Sequence, residues 1–488
     1  MTQANAELAS GPNKGPFRGL YESSKSLYAE IRPLWFVVIA GFLIRLVLSP
    51  VSLDGDLVGF AQTSASELFR QGPYAYSSIY PPLWAFYLNA VGHTVSVFQP
   101  VTYWFVSANG LGTLQAVSYG LTPSSGLSLS YVLIEKGSIS LFDLGTSLVI
   151  YFLALRAYGR KDLAQTAFAL WFLNPLVIIV SSIHGTFDDV AVFFMLSSIL
   201  FALEGSFLFA GLSVAIGSWL KLFPLFLIPL LIGMILGRAI GGAGDRVRSL
   251  GSFLLGCLGV TLLAFGSPGT LSGFLTETLT GITGGETRYT GLGFWGLFSF
   301  PTFNFVTNLL SQNLSRTFDV LLPLSIVIAV LMGLVIFKES RTAVMKCQVW
   351  MMGAFLSVSA AYFVTTVTQP QYMLWTLPFL LLLGLQRKLY LACYGTITIA
   401  SGVFYLLIIG GPYLFFLPLW YSFRLLTLHT ILNSVTYWVG PGRIYAPLVQ
   451  SVVGVATVIA CVASLWGLVY KVRSVSFKFL KRGGSSEG

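Results

Sequence analysis

Two carboxylates separated by one glycine, in the segment Asp54-Gly55-Asp56, follow directly on the apolar stretch 34–51. Only 9% of the chain is charged, and a carboxylate at a membrane surface is costly to desolvate, which usually marks a site. On a loop, at positions i and i+2, both side chains can turn toward one point. They could take a proton from a hydroxyl group, hold a divalent cation such as Mg²⁺ or Mn²⁺, or do both. The alternative is that they only solvate the end of a helix.

A second group of polar residues follows later apolar stretches: His184, Asp188, Asp189 and Lys221. His184 is a candidate for contact with a substrate, whereas one of the two aspartates could instead cap the helix that begins near Val190. Lys221 would suit a phosphate group as a point-charge partner. Most lysines near membranes, however, only extend their ammonium group to the interface.

Four further residues or segments carry a candidate role and a simpler alternative. Arg288, in a glycine-rich stretch, could contact a lipid phosphate or belong to a solvated loop. Arg45 lies inside the first apolar stretch, where an extended side chain that reaches the interface is the alternative. Tyr80 and the segment 372–375 could line a site or belong to the aromatic belt at the membrane interface.

The composition predicts an all-α polytopic membrane protein. Of the 488 residues, 55% are hydrophobic, and several runs approach the roughly 20 apolar residues that cross a bilayer. The net charge of +10 comes from Lys and Arg in short loops, which indicates topology rather than binding of nucleic acid. No pairing of the four cysteines is implied. The first thirty residues are polar, so no cleaved signal peptide is expected.

About twelve membrane-spanning helices are predicted, with both termini in the cytoplasm. Twenty of the 28 Lys and Arg residues fall in the two tails and in four loops, which places these segments inside. Lys221 then lies at the external face, where two short spans meet and Pro224 breaks the helix. The loops lie near 156–161, 238–248, 338–346 and 387–388, and the spans are 33–50, 136–157, 163–182, 187–203, 206–220, 222–237, 249–267, 318–337, 348–367, 371–385, 389–409 and 446–470.

Short motifs follow one another in a recognisable order: Asp54-Gly55-Asp56, Phe60, Gly72-Pro73-Tyr74, Tyr80-Pro81-Pro82, Leu173-Asn174-Pro175, Ser181-Ser182, Gly185-x-x-Asp188, Trp219-Leu220-Lys221-Leu222-Phe223-Pro224 and Gln371-Tyr372-Met373-Leu374-Trp375. This order resembles the polyprenyl-phosphate-sugar-dependent glycosyltransferases of the GT-C superfamily. The likeness is greatest to the catalytic subunit of the first mannosyltransferase of GPI-anchor synthesis and to prokaryotic polyprenyl-phosphate-mannose enzymes. It covers roughly residues 35–385, but the stretch 85–130 is longer than the family pattern and the loop 268–317 matches no family element.

The resemblance implies a GT-C fold and a division of the chain. Residues 79–131 of the first external loop are interfacial helices or, alternatively, contain two extra spans. The sequon at Asn313 falls in the long external loop and could be glycosylated. The implied segments are a cytoplasmic N-terminal tail (1–32), a catalytic transmembrane module (33–385) with external loops at 51–135 and 268–317, C-terminal transmembrane helices (386–470) and a cytoplasmic tail (471–488).

The resemblance also implies an activity: a hexose, mannose in the first place, moves from polyprenyl (dolichyl) phosphate to a lipid-linked or glycan acceptor. The reaction would invert the anomeric carbon at the external or lumenal face, without a soluble cofactor. The implied roles are general base for Asp54, orientation or metal binding for Asp56, binding of the donor phosphate for Lys221, Arg288 and His184, and binding of sugar or acceptor for Tyr80, Asp188, Asp189, Gln371 and Tyr372.

Two other classes of protein stay open. A secondary transporter has a similar number of spans, but charges at mid-bilayer and repeated broken helices would be expected. A non-catalytic scaffold or lipid-binding subunit would need neither Asp54 nor Lys221. The expected partners are the lipid donor, the acceptor, membrane lipids and, by analogy, an accessory membrane subunit, with no nucleic acid. The expected location is the plasma membrane of a prokaryote or the endoplasmic reticulum of a eukaryote.

Overall fold

The described part of the chain is almost entirely helical. The computed structural model of the protein describes residues 32–52, 56–57, 60–61, 64, 80–97, 129–237, 243–266, 268–279, 290–292, 296–297, 343–364, 367–409 and 445–483. Its α-helices are α1 (Trp35–Leu48), α2 (Pro82–Val97), α3 (Leu129–Tyr158), α4 (Lys161–Phe172), α5 (Pro175–Ile178), α6 (Asp188–Glu204), α7 (Phe207–Leu220), α8 (Ile228–Gly237), α9 (Ala243–Ala264), α10 (Pro268–Gly273), α11 (Ala343–Ser359), α12 (Ala361–Val364), α13 (Leu377–Gly384), α14 (Lys388–Val403) and α15 (Tyr445–Gly483). Shorter 3₁₀ helices lie at Arg32–Leu34, Ser49–Val51, Phe223–Leu227 and Pro370–Trp375, and π-helices at Ile179–His184, Phe274–Leu279 and Phe404–Ile409.

The predicted spans coincide with helical segments, except the span 318–337, which lies outside the described residues. These helices support a multi-pass membrane protein, while the total of twelve spans stays a prediction. The choice for residues 79–131 also stays open, because the residues between α2 and α3, 98–128, lie outside the described part of the chain. Among the described residues, six helices are long and apolar enough to cross a bilayer: Arg32–Val51, Leu129–Tyr158, Lys161–His184, Ala243–Ala264, Lys388–Leu406 and Tyr445–Tyr470.

The break between α4 and α5 has a local cause. The side chain of Asn174 accepts hydrogen bonds from the backbone N–H groups of Leu176 and Val177. Pro175 follows at the first helical position, where a missing N–H leaves no bond unmade. The helical stretch is therefore interrupted between Phe172 and Pro175.

The predicted break after α7 is confirmed. The helix ends at Leu220, and Lys221 has extended backbone angles. A 3₁₀ helix with Pro224 in its first turn then leads into α8. The break leaves Lys221 at a helix end.

Close packing between α7 and α9 depends on two glycines. A Cβ atom on Gly211 would lie 2.0 Å from the carbonyl oxygen of Phe253, and one on Gly256 would lie 2.4 Å from that of Leu208. Small residues allow helix backbones to approach closely in membrane proteins. Any larger residue at these two positions would push the helices apart.

One short strand pair links two distant loops. Strand β1 (Thr290–Gly291) pairs in parallel with β2 (Val367–Thr368), and the N–H of Leu292 donates to the carbonyl of Thr368 at 2.9 Å. The 3₁₀ helix Pro370–Trp375 begins two residues after β2. The predicted long external loop therefore reaches the segment that carries Gln371 and Tyr372.

Candidate functional site

The ends of several helical segments meet at one place. The π-helix Ile179–His184 ends there, α6 begins there with Asp188, and α7 ends there just before Lys221. The 3₁₀ helix Pro370–Trp375 packs against α6. The cluster that results, called the polar–aromatic cluster below, contains Asp56, Tyr80, His184, Phe187, Asp188, Lys221, Tyr372 and Trp375.

Lys221 and Asp188 form a buried ion pair in the polar–aromatic cluster. The Nζ atom of Lys221 donates to Oδ2 of Asp188 at 2.6 Å, and the two side chains are 10% and 0% exposed. The indole Nε1 of Trp375 donates to Oδ1 of the same carboxylate at 2.9 Å. Each carboxylate oxygen thus has a donor, which offsets the cost of burying the charge. The charge of Lys221 is therefore balanced within the protein by Asp188, while its predicted contact with a phosphate stays a prediction.

Aromatic rings surround the ammonium group of Lys221. It lies 5.8 Å from the ring centre of Tyr80, 5.4 Å from that of Phe187 and 4.9 Å from that of Tyr372. The faces of aromatic rings attract cations at such distances. Tyr80 is therefore part of the cluster, while its role in binding sugar or acceptor stays a prediction.

The aromatic wall continues through stacked rings. Tyr372 and Phe223 each stack on Trp375 with ring centres 4.3 Å apart. Trp375 is buried, so the interpretation of this tryptophan as an interfacial belt residue is wrong. The ring face of Tyr372 meets the ammonium group of Lys221.

Asp56 and His184 form the exposed edge of the cluster. Oδ2 of Asp56 lies 3.1 Å from Nε2 of His184, and the side chains are 45% and 5% exposed. His184 ends a π-helix, a form that is rare and frequent at functional sites. Gly185 follows with φ of 84°, in the left-handed region that suits glycine. Asp54 lies outside the described residues, so the predicted pair of carboxylates is represented by Asp56 alone.

Other predicted site residues lie apart from this edge. Asp189 is fully buried beside Asp143 and Arg45. The interpretation that Asp188 or Asp189 caps α6 is wrong, because no side chain caps that helix and its N-cap residue is Phe187.

Gln371 and Arg288 are the two remaining predicted site residues. The side chain of Gln371 is buried and donates to the side chain of Gln369, its neighbour two residues earlier. Arg288 lies outside the described residues.

Three buried ionisable residues in α3 escaped the sequence interpretation: Glu135, Lys136 and Asp143. Asp143 accepts a hydrogen bond from Nε of Arg45 at 3.0 Å, and both side chains are buried. The interpretation that Arg45 reaches the interface is therefore wrong. The available signal was an ionisable residue inside a predicted span, which usually marks a partner or a function.

A metal site receives no support from the described residues. Among them, no three His, Cys, Asp or Glu side chains come together in a way that could hold a metal ion. The predicted Mg²⁺ or Mn²⁺ site includes Asp54, which is not described, so it stays a prediction. The four cysteines are unpaired.

One protein-family model matches part of the chain. The family model described as the GPI transamidase subunit PIG-U matches residues 138–309. No curated protein matches the chain. The matched segment includes four residues of the polar–aromatic cluster: His184, Phe187, Asp188 and Lys221.

This match corrects the predicted activity. The GPI transamidase is a different enzyme complex from the first GPI mannosyltransferase and from the polyprenyl-phosphate-mannose enzymes. The prediction of a mannosyltransferase is therefore wrong. The predicted sugar donor and sugar acceptor have no support from this match. The activity was wrongly predicted because carboxylate, imidazole, lysine and aromatic groups suit the binding of a glycolipid whether or not a reaction follows.

Proposed function

We propose that the chain is a non-catalytic membrane subunit of a GPI transamidase complex. The observation that carries this proposal is the match of the PIG-U family model to residues 138–309, because this segment supplies His184, Asp188 and Lys221. The proposal takes up the lipid-binding subunit that the sequence left open. The partners are then the other membrane subunits of that complex.

The polar–aromatic cluster is proposed to bind the headgroup of the GPI glycolipid. At the exposed edge, the Asp56 carboxylate can accept hydrogen bonds from sugar hydroxyls, and the His184 imidazole can donate to them. The faces of Tyr80 and Tyr372 offer flat apolar surface next to these polar groups. The ion pair of Lys221 and Asp188 lies behind these rings and holds them in place. Binding of a headgroup involves no proton transfer, so this role requires no general base. Further contacts with the headgroup are proposed for Asp54 and Arg288, which lie outside the described residues, and for the buried residues Gln371 and Asp189.

The proposed arrangement in the membrane follows from the positions of Lys and Arg. Twelve spans of a GT-C-like architecture would place the cluster at the external or lumenal face, opposite the basic loops. The membrane would be that of the endoplasmic reticulum. The division at residues 33–385 and 386–470 is part of the same proposal, with the first segment holding the site and the second the C-terminal helices.

The test uses cells of the source organism from which the gene has been removed, with a reporter protein that carries a GPI-attachment signal. The site variant is Asp56→Asn, and the matched control is Glu204→Gln, another half-exposed carboxylate, which pairs with Arg156 instead. Wild type and Glu204→Gln should restore anchoring of the reporter. Asp56→Asn should lower anchoring by about tenfold, as expected for the loss of a hydrogen bond to a charged group.

Assembly is measured in the same cells by purification through a tag on the chain. Both variants should co-purify with the other transamidase subunits, since Asp56 lies at an exposed edge. A chain that neither restores anchoring nor co-purifies with the complex would refute the proposed function. Full anchoring with Asp56→Asn would refute the headgroup site alone.

A further inference from the structure

The ammonium group of Lys136 ties together two segments that are far apart in the chain. Lys136 is fully buried in α3. Its Nζ donates to the carbonyl oxygens of Ser52 at 2.8 Å and Ile183 at 3.0 Å, and to the Ser52 hydroxyl at 3.0 Å. The carbonyl of Ser49 lies at 3.3 Å. The three protons of the ammonium thus meet oxygen atoms on both segments.

These oxygens belong to the C-terminal ends of two helices. Ser49 is the C-cap of α1, Ser52 is the C-cap of the 3₁₀ helix Ser49–Val51, and Ile183 is the last residue but one of the π-helix. The last carbonyls of a helix lack partners within it and carry partial negative charge. A lysine that reaches both ends satisfies them together. The Ser52 hydroxyl adds a second link, because it lies 3.1 Å from the carbonyl of Ser182.

The two tied ends lead directly into the exposed edge of the cluster. Asp56 follows Ser52 by four residues, and His184 follows Ile183 at once. The turn after His184 also rests on the lysine, because a Cβ atom on Gly185 would lie 3.1 Å from Cε of Lys136. The stem and the charge of Lys136 therefore constrain the chain on both sides of the contact between Asp56 and His184.

We infer that Lys136 is a positioning residue that brings Asp56 and His184 within hydrogen-bond distance of each other. That this edge receives the glycolipid rests on the proposed function, whereas the positioning itself does not. An ionisable residue inside a span is costly and is rarely there for packing alone. A methionine of similar length would fill the same space without holding the two helix ends together.

The test is the rate at which diethyl pyrocarbonate modifies His184, measured by peptide mass spectrometry on the purified full-length chain. His93 is exposed and serves as the internal reference. In wild type His184 should react slowly, since it is 5% exposed and contacts Asp56. Lys136→Met should raise the rate at His184 by about tenfold relative to His93, because charged hydrogen bonds that hold the edge closed are lost. Lys136→Arg, which keeps the charge, should stay closer to wild type.

The matched control is Asn174→Leu. Like Lys136, Asn174 is buried and makes four side-chain hydrogen bonds. It lies at the N-terminal end of the helical stretch that ends at His184. This variant should leave the rate at His184 unchanged. An unchanged rate in Lys136→Met, or an equal rise in Asn174→Leu, would overturn the inference. A faster rate in Lys136→Met with full anchoring of the reporter would uphold the positioning role and count against the proposed function of the site.

Discussion

Replacing Lys221 by Met should cost far more stability than replacing both Lys221 and Asp188. The single change leaves a carboxylate that is 0% exposed with the indole of Trp375 as its remaining described donor. Removal of one partner from a buried ion pair costs about 3–5 kcal/mol. Loss of the contacts between the ammonium group and the three rings adds roughly 0.5–2 kcal/mol. The double variant Lys221→Met/Asp188→Asn removes the unpaired charge and should recover most of this loss.

The assay is a double-mutant cycle on the free energy of unfolding, measured by denaturant titration of the purified protein in mixed micelles. The coupling energy of Lys221 and Asp188 should be about 3 kcal/mol or more. The control cycle uses Arg156 and Glu204, an ion pair whose side chains are 38% and 50% exposed. Its coupling should be about 0.2–1 kcal/mol. Equal coupling in the two cycles would refute the argument that the Lys221–Asp188 pair is a buried support of the site.

Three further predictions concern packing, hydrogen bonding and topology. Gly211→Ala should lower the free energy of unfolding by about 1–3 kcal/mol through overpacking. Gly259 has no atom near its Cβ position, so Gly259→Ala should raise the free energy of unfolding by about 0.5–1 kcal/mol. Equal effects of the two changes would contradict the close approach of α7 and α9. Trp375→Phe should cost about 1–3 kcal/mol, because a buried acceptor loses its donor, whereas Trp466→Phe, at a residue 73% exposed, should leave the free energy of unfolding unchanged. If the loop 268–317 is external or lumenal, glycosidase treatment should increase the electrophoretic mobility of the chain, and Asn313→Gln should abolish this shift; a non-glycosylated wild-type chain would remove this support for the topology.

The helices and their breaks were predictable because their causes are local. Apolar runs predict helices wherever they are long enough, and Pro175 and Pro224 mark breaks that the structure confirms. The position of Lys221 at a helix end followed from the placement of Lys and Arg together with Pro224 as a helix breaker. The structure shows that helix end, while the side of the membrane on which it lies is still a prediction.

The polar contacts between helices were not predictable, because their partners are far apart in the chain. Arg45 and Asp143 are 98 residues apart, and Lys136 and Ser52 are 84 residues apart. Each residue alone could be a side chain that reaches the interface, and only the packing of α1 against α3 decides otherwise. The activity was wrongly predicted for a related reason. Short motifs that contain Asp56, Lys221 and aromatic residues describe a binding surface and do not specify whether a bond is made or broken there.

The most direct test of the proposed function is to label cells that lack the gene with radioactive mannose and to follow both the glycolipids and the reporter protein. A non-catalytic subunit of the GPI transamidase predicts that mannose-labelled GPI lipids still form and accumulate, while the reporter keeps its attachment signal and stays unanchored. Restoring the wild-type gene should reverse both effects. Loss of the mannose-labelled lipids themselves would contradict the proposal, because it would place the defect in the synthesis of the glycolipid rather than in its attachment to protein.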